Sequence, residues 1–346
     1  MQRTSESFSG VQFLRFFAAM LVVITHATGA IAERMLDLGP GQYWKSGLAG
    51  VDIFFVISGF VMAVSSKKLV GQPDAWKIFL TKRIVRIVPL YWIATSAKIL
   101  AAFAFAKHAI HSRLDLSYLL ACYFFIPALN ADNEVLPILT VGWTLTYEMF
   151  FYLVFALALA LKVLPFRFVI AVFSVLACIG LFREPDWAPI TVLASPIILE
   201  FAFGMGIAYL YMSGRSISPA VSALAILLGG FLLFIPESLP FKWRFIFWGI
   251  PAALIVGGFV FSEKWLGARL PAILTKLGDS SYSLYLFHPF AIPLIVVLML
   301  KLGLDNPVFT LLVCIGVSLI VGVASYKIVE LPVTRYIRAL VKKYNG

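Results

Sequence analysis

Long apolar runs alternate with short polar segments along most of the chain. A transmembrane helix needs about 20 mostly apolar residues to cross about 30 Å of hydrocarbon. The pattern therefore predicts an all-α fold, a polytopic transmembrane helix bundle of about ten spans. The predicted spans are 8–30, 47–66, 87–106, 142–161, 168–182, 190–212, 219–236, 245–262, 280–300 and 308–329.

One further apolar run, Leu116–Leu129, is too short to be counted as a span. It ends in Ile126-Pro127 and falls short of the length that crossing requires. Backbone polar groups must still be satisfied inside a bilayer, so such a run needs cover from the rest of the protein. We interpret it as a short re-entrant or interfacial segment.

Composition excludes a soluble globular protein. The chain is 61% hydrophobic and only 13% charged, whereas soluble domains average about 45–50% apolar and about 25% charged residues. The net charge of +11 does not indicate a nucleic-acid partner, because the basic residues form short clusters between apolar spans. Such clusters are typical of topology signals and of contact with anionic membrane lipid.

The distribution of basic residues predicts the orientation. With both termini cytoplasmic and the short run not crossing, seventeen of the 28 Lys and Arg residues lie inside and eight lie in outside loops, Arg244 among them. Orientation in membranes follows an excess of Lys and Arg on the cytoplasmic side. We therefore predict cytoplasmic termini, a single transmembrane domain over 8–332 and a short basic cytoplasmic tail over 333–346.

Ionisable residues inside apolar spans are the first candidates for function, because each costs about 2.5–3.5 kcal/mol to insert. Arg15 and His26 lie in the first span, eleven residues apart. That separation is almost three helical turns, so both side chains share one helix face, roughly 16 Å apart along the axis. The alternative is an arginine that reaches toward the cytoplasm and a histidine bonded to a backbone carbonyl.

Two carboxylates are predicted at a depth similar to that of His26. Asp52 begins the second span and Glu148 lies early in the fourth. A neutral imidazole can take a proton from a hydroxyl, and a carboxylate can orient it and stabilise the cation that forms. Asp52 could instead cap a helix, and Glu148 could form an ion pair with Arg15 or Lys98.

The ninth span begins with a polar stripe. Ser281, Tyr285 and His288 follow the spacing i, i+4, i+7, which places them on one helix face. This face would suit the lining of a passage for a polar ligand. Hydrogen bonding between neighbouring helices explains the same pattern equally well.

A basic pair precedes the third span. Arg83 and Arg86 stand at i and i+3, so they share a helix face at the cytoplasmic interface. Arginine binds phosphate through two parallel hydrogen bonds, and a nucleotide-bearing donor could dock there. The alternative is a topology signal that also contacts anionic lipid.

These residues stand in five motifs that, in this order, resemble the membrane-bound acyltransferase-3 family. The resemblance extends over about residues 8–332. Within the motifs we also assign Ser58, Trp143 and Tyr147, with Ser281, Tyr285 and His288, to a substrate channel. The motifs are Arg15 through His26, Gly50–Phe60, Lys82–Arg86 running into Pro89–Trp92, Gly142–Tyr152 and Ser281–His288.

The resemblance implies a ten-helix acyltransferase that modifies cell-surface glycans with acetyl or similar groups drawn from acyl-coenzyme A. It is most similar to exopolysaccharide O-acetyltransferases of Gram-negative bacteria, which implies the bacterial inner membrane. Acetyl-CoA is then the expected co-substrate, with no metal. The expected partners are membrane lipid, a lipid-linked or extracellular polysaccharide acceptor and other polysaccharide-assembly membrane proteins, without nucleic acid.

The sequence predicts the following roles for the site residues. Arg83 and Arg86, with Arg15, hold the donor phosphates, and His26 acts as general base or as transient acyl carrier. Asp52 or Glu148 orients the imidazole. Two alternatives remain open: a transporter or flippase for a polar or lipid-linked substrate, and an acyltransferase acting on lipid, peptidoglycan or a small molecule.

Overall fold

The computed structural model describes residues 8–39, 41–104, 114–235 and 240–344. Within these ranges the secondary structure is helical, and the only strand-like pairing is an isolated antiparallel bridge between Leu129 and Val135. The α-helices are α1 Ser9–Arg34, α2 Gly50–Ser66, α3 Ala75–Ala104, α4 Leu116–Tyr123, α5 Trp143–Ala160, α6 Pro165–Leu181, α7 Leu199–Met212, α8 Pro219–Phe234, α9 Ile250–Phe261, α10 Glu263–Leu266, α11 Ala272–Leu277, α12 Ser281–Lys301, α13 Pro307–Ser325 and α14 Leu331–Tyr344.

Seven helical segments within the described ranges are long and apolar enough to cross a membrane. They are Ser9–Arg34, Ser46–Leu69, Ala75–Ala104, Thr140–Ala160, Phe241–Phe261, Ala272–Lys301 and Pro307–Lys343. Three shorter apolar helices are Pro165–Gly180, Pro196–Met212 and Pro219–Phe234. The predicted helical, multi-pass membrane protein is confirmed, whereas the number of crossings and the side on which the termini lie stay predictions.

Two predicted spans differ from the helices in the structure, one in its first residue and the other in its continuity. The third was predicted at 87–106, but α3 begins at Ala75 and includes the basic stretch, since charged side chains do not interrupt a helix. The sixth was predicted as continuous over 190–212. The helix instead breaks at Ser195, whose backbone is extended because the residue before a proline avoids the helical region.

The short apolar run forms a short helix. α4 contains 8 residues, which at 1.5 Å per residue is about 12 Å and too short to cross the hydrocarbon. Its first turn is capped by Asp115, whose side chain accepts a hydrogen bond from the amide of Tyr118. These dimensions support the interpretation of a segment that does not cross.

The helices form two compact units, each described by itself. The first unit comprises Met1–Val64 and Glu200–Tyr326. In it α1 lies between two apolar clusters, one shared with α2 and α9 and the other with α12 and α13. α1 and α12 begin side by side, where Nε2 of Gln12 donates to Oδ1 of Asp279 at 2.9 Å. The two helices run parallel from there.

Two glycines allow α2 and α7 to cross in close contact. A Cβ added at Gly204 would lie 1.9 Å from the carbonyl oxygen of Val56, and one added at Gly59 would lie 2.0 Å from that of Phe201. Such separations are far below van der Waals contact, so only glycine fits. Small residues at helix crossings are typical of membrane proteins, in which packing drives helix association.

The second unit comprises Ser65–Leu199 and Lys327–Gly346, and contains α3 to α6 and α14. Its long helix α3 packs against α4, α5 and α14. Stacked and edge-on aromatic rings join α3 to α5, with Phe79 against both Tyr152 and Phe155. The segment predicted as a tail is thus the packed helix α14, which follows a π-helix at Tyr326–Glu330.

Candidate functional site

Two histidines from different helices meet side by side in the first unit. Nδ1 of His26, on α1, lies 2.7 Å from Nε2 of His288, on α12. The rings are nearly coplanar, with an interplanar angle of 11° and centroids 5.0 Å apart. Because the shortest contact joins two ring nitrogens, the rings meet edge to edge through an in-plane hydrogen bond and are not stacked face to face.

The hydrogen-bond network assigns the protons of this pair. A carbonyl oxygen only accepts, so Nδ1 of His288 donates to the carbonyl of Leu284 at 3.1 Å. In a neutral His288 ring Nε2 is then the acceptor, and Nδ1 of His26 donates to it. Nε2 of a neutral His26 therefore carries a lone pair that can accept a proton. His288 is fully buried, whereas His26 is partly exposed.

Asp52 binds an arginine and not the histidine pair. Both of its carboxylate oxygens accept from Nε of Arg244, at 3.0 and 3.1 Å, and Oδ2 also accepts from Nη2 at 2.7 Å. Nη2 of Arg244 donates in addition to the carbonyl of Leu48 at 2.7 Å, and the guanidinium lies 4.7 Å from the centroid of the Trp248 ring. The pair is buried, with Asp52 fully inaccessible.

Glu200 lies beside this ion pair. It begins α7, is fully buried, and neither carboxyl oxygen finds a hydrogen-bond donor among the described residues. Both Asp52 and Arg244 act on it electrostatically. The close approach of Gly249, where an added Cβ would lie 2.9 Å from Oε1 of Glu200, encloses the carboxyl group. Two carboxyl groups thus lie near one buried guanidinium, and of the two Asp52 is the one hydrogen-bonded to it.

Arg15 lies on α1 as predicted, with His26 further along the same unbroken helix. Its Nη1 donates to Oε1 of Gln12 at 3.1 Å. Gln12 in turn donates to Asp279, so the guanidinium belongs to a polar network at the end of the unit where α1 and α12 begin.

The second unit holds the remaining predicted catalytic and donor-binding residues. Oε1 of Glu148 accepts a hydrogen bond from the hydroxyl of Tyr152, one turn further along α5. Nη2 of Arg83 donates to Oγ of Ser65 at 3.0 Å, and its guanidinium lies over the ring of Phe79. Arg86 lies one turn further along α3 and is partly exposed.

The residues assigned to a substrate channel divide between the two units. In the first, Ser58 on α2 is buried, as are Ser281 and Tyr285 on α12. In the second, Trp143 begins α5 and its ring meets that of Tyr147 edge-on at 5.8 Å. The hydroxyl of Tyr147 donates to the carbonyl of Val192 at 2.9 Å. The channel role stays a prediction.

Sequence reasoning missed Arg244. It was assigned to an outside loop, but the structure buries it at the start of the apolar segment Phe241–Phe261, so that assignment is wrong. A buried Asp52 needs a cationic partner, and this requirement is the signal that could have prompted the search. The pairing of His26 with His288 was also missed, since the two lie 262 positions apart in the chain.

Comparison with known proteins gives the family. A family model described as an acyltransferase domain matches residues 8–327. The chain is 38% identical over 303 residues to the exopolysaccharide production protein ExoZ of Rhizobium meliloti (strain 1021), covering 86% of this chain and 93% of that protein. It is 24% identical over 305 residues to the acyltransferase MdmB of Streptomyces mycarofaciens, covering 80% and 76% respectively. No solved structure matches the chain. Because the family model spans nearly the whole sequence, this protein belongs to the membrane-bound acyltransferase-3 family.

Proposed function

We propose that the protein transfers an acyl group, acetyl in the simplest case, from cytoplasmic acyl-CoA to a hydroxyl of an extracytoplasmic or lipid-linked glycan. Family membership supports acyl transfer. Similarity to the exopolysaccharide production protein supports a surface polysaccharide as acceptor. The observation that carries the proposal is the histidine pair, in which buried His288 leaves Nε2 of His26 able to accept a proton.

The proposed step uses His26 as general base. The acceptor hydroxyl oxygen attacks the thioester carbonyl carbon while its proton passes to Nε2 of His26. The new C–O bond forms as the C–S bond breaks, and His26 returns the proton to the departing thiolate. The products are an ester and a free thiol, so the step needs no oxidant or reductant. A positioned base contributes about 10²–10⁴-fold to such reactions.

In this proposal His288 has the orienting role that the sequence assigned to Asp52 or Glu148. Asp52 forms a hydrogen-bonded ion pair with Arg244, and Glu148 accepts a hydrogen bond from Tyr152. The binding of donor phosphates by Arg15, Arg83 and Arg86 stays a prediction. Analysis of the product identifies the acceptor sugar and the length of the acyl chain.

The test replaces His26 with Ala and measures O-acetylation of surface glycans by mass spectrometry. We expect acetylation to be lost while the variant accumulates in the membrane at the wild-type level. The matched control is Thr28→Ala, which removes a hydroxyl that donates to the carbonyl of Thr25 on the same helix and should leave acetylation unchanged. Wild-type acetylation by the His26→Ala variant would refute the assignment.

A second measurement separates the enzyme from a transporter. Purified wild-type protein in detergent is incubated with acetyl-CoA and a soluble hydroxyl acceptor, and release of free thiol is followed. An acyltransferase releases thiol in step with ester formation, whereas a transporter leaves the thioester intact. Absence of thiol release and of ester formation would favour the transporter.

A further inference from the structure

A buried arginine with an unused donor stands out in the second unit. Arg83 is 9% exposed, and one of its guanidinium nitrogens, Nη2, donates to Ser65. The face of the group lies 5.6 Å from the centroid of the Phe79 ring. Its Nε is buried and has no hydrogen-bond partner among the described residues. Leaving a buried, charged donor unsatisfied is costly, so this nitrogen indicates a missing acceptor.

Two other arginines lie near Arg83. Arg86, one turn along α3, and Arg338, on α14, both lie close enough to repel its guanidinium. Glu148 is the carboxylate among these neighbours, and it already accepts a hydrogen bond from Tyr152. Two further guanidinium groups thus act on Arg83, together with the carboxylate of Glu148. Like charges held together in this way are favourable only when an anion joins them.

Arg338 lies on α14, a packed helix with several basic residues. α14 packs against α3 and contains the basic residues Arg335, Arg338, Lys342 and Lys343. Arg338 is exposed, so its guanidinium can reach a ligand that approaches from outside the packed helices. The sequence predicted a short basic cytoplasmic tail over 333–346, and in the structure this segment belongs to a helix that packs against α3.

We propose that Arg338 of the C-terminal helix completes, with Arg83 and Arg86, a binding site for the phosphate groups of the acyl-CoA donor. Guanidinium groups suit this ligand because each presents a planar fork of donors that matches two phosphate oxygens. The unsatisfied Nε of Arg83 is the donor that the phosphate would occupy. This inference rests on the proposed function, since it takes acyl-CoA as the donor.

The test compares two donors that share the pantetheine thioester arm and differ in the 3′-phospho-ADP group, which only one of them carries. Purified Arg338→Gln protein is assayed with acetyl-CoA and with acetyl-pantetheine, which has the same thioester arm but lacks the adenosine and every phosphate. We expect KM for acetyl-CoA to rise about tenfold with kcat unchanged, the size of one charge-assisted contact. KM for acetyl-pantetheine should stay at the wild-type value. Lys343→Gln, which removes a charge from another face of α14, is the matched control.

Anionic lipid headgroups carry the same phosphate chemistry, so the assays are run in nanodiscs of phosphatidylcholine with and without phosphatidylglycerol. An effect of Arg338→Gln that is confined to the anionic nanodiscs would assign the cluster to lipid and overturn the inference. An unchanged KM for acetyl-CoA, or an equal rise for both donors, would also overturn it while leaving the histidine mechanism intact. If wild-type protein uses neither donor, the proposed function fails together with the inference.

Discussion

Nδ1 of His26 donates to Nε2 of His288, and the opposite nitrogen of His288 donates to the carbonyl of Leu284. In the proposed mechanism, this chain of two imidazoles ending on a backbone carbonyl takes the place of the carboxylate that commonly orients a catalytic histidine. The carbonyl cannot donate, so the direction of both hydrogen bonds is fixed. The position of His288 within the buried part of α12 keeps its ring from rotating.

Replacing His288 should lower turnover and leave donor binding unchanged. His288→Ala removes the acceptor for Nδ1 of His26, so the ring loses its fixed tautomer and orientation. We expect kcat to fall by up to about 10²–10⁴-fold with KM within twofold, because the base, His26, remains but is no longer oriented for the chemical step. The measurement is steady-state thiol release by purified protein.

A conservative variant separates orientation from folding. The side-chain oxygen of Gln can accept from Nδ1 of His26, so His288→Gln should recover part of the activity that His288→Ala loses. Ser318→Ala, which removes a buried hydroxyl on α13, serves as the control for a buried substitution in the same unit. Equal losses for the Ala and Gln variants would argue against an orienting role.

Hydropathy predicted the helices well, because crossing a bilayer imposes length and composition on each segment separately. α1 and α12 correspond to predicted spans within a few residues. The break at Ser195 and the early start of α3 were missed. The break follows from the backbone restriction before a proline, and the early start from the helix propensity of charged residues; average hydropathy registers neither.

Hydropathy does not predict which polar side chains from different helices contact each other. Sequence singled out His26, Asp52 and His288 as candidates, and all three lie in the two polar clusters of the first unit. It predicted that Asp52 or Glu148 orients His26, whereas the structure pairs His26 with His288 and Asp52 with Arg244. The sequence did not identify Arg244 as a site residue because its neighbours, Lys242 and Trp243, are typical of a loop at the membrane surface. Only packing of the helices brings it to Asp52.

Breaking the Asp52–Arg244 pair should destabilise the protein strongly. Arg244→Gln leaves a buried carboxylate without its counter-ion, which typically costs about 3–5 kcal/mol. We expect a large fall in the thermal unfolding midpoint in detergent, or loss of the variant from the membrane. Lys77→Ala, which breaks the exposed ion pair with Asp74, should change the midpoint little. A similar midpoint for wild type and Arg244→Gln would show that the buried pair contributes nothing.

Glu200 should tolerate loss of charge better than Asp52. Two carboxyl groups compete for one guanidinium, and only Asp52 forms direct hydrogen bonds with it. Glu200→Gln removes the repulsion between the acidic groups and supplies an amide that can donate to Asp52. We expect its unfolding midpoint to equal or exceed that of wild type, whereas Asp52→Asn should lower it. A larger loss for Glu200→Gln than for Asp52→Asn would reverse this ranking of the two acids.

Two glycines on α7 give a matched pair for testing the crossing with α2. A Cβ at Gly204 would meet the Val56 carbonyl oxygen at 1.9 Å, and since that atom is backbone, the two helices must separate. Overpacking of this kind costs about 1–3 kcal/mol or more. At Gly206 an added Cβ meets nothing within 4 Å, so Gly206→Ala should be neutral or slightly stabilising. We therefore expect Gly204→Ala to lower the unfolding midpoint and Gly206→Ala to preserve it.

Because Glu200 begins α7, displacement of that helix should also disturb the Asp52–Arg244 cluster. The double variant Gly204→Ala, Arg244→Gln should then lose more of its unfolding midpoint than the sum of the two single losses. Strictly additive losses would mean that the crossing and the ion cluster are independent.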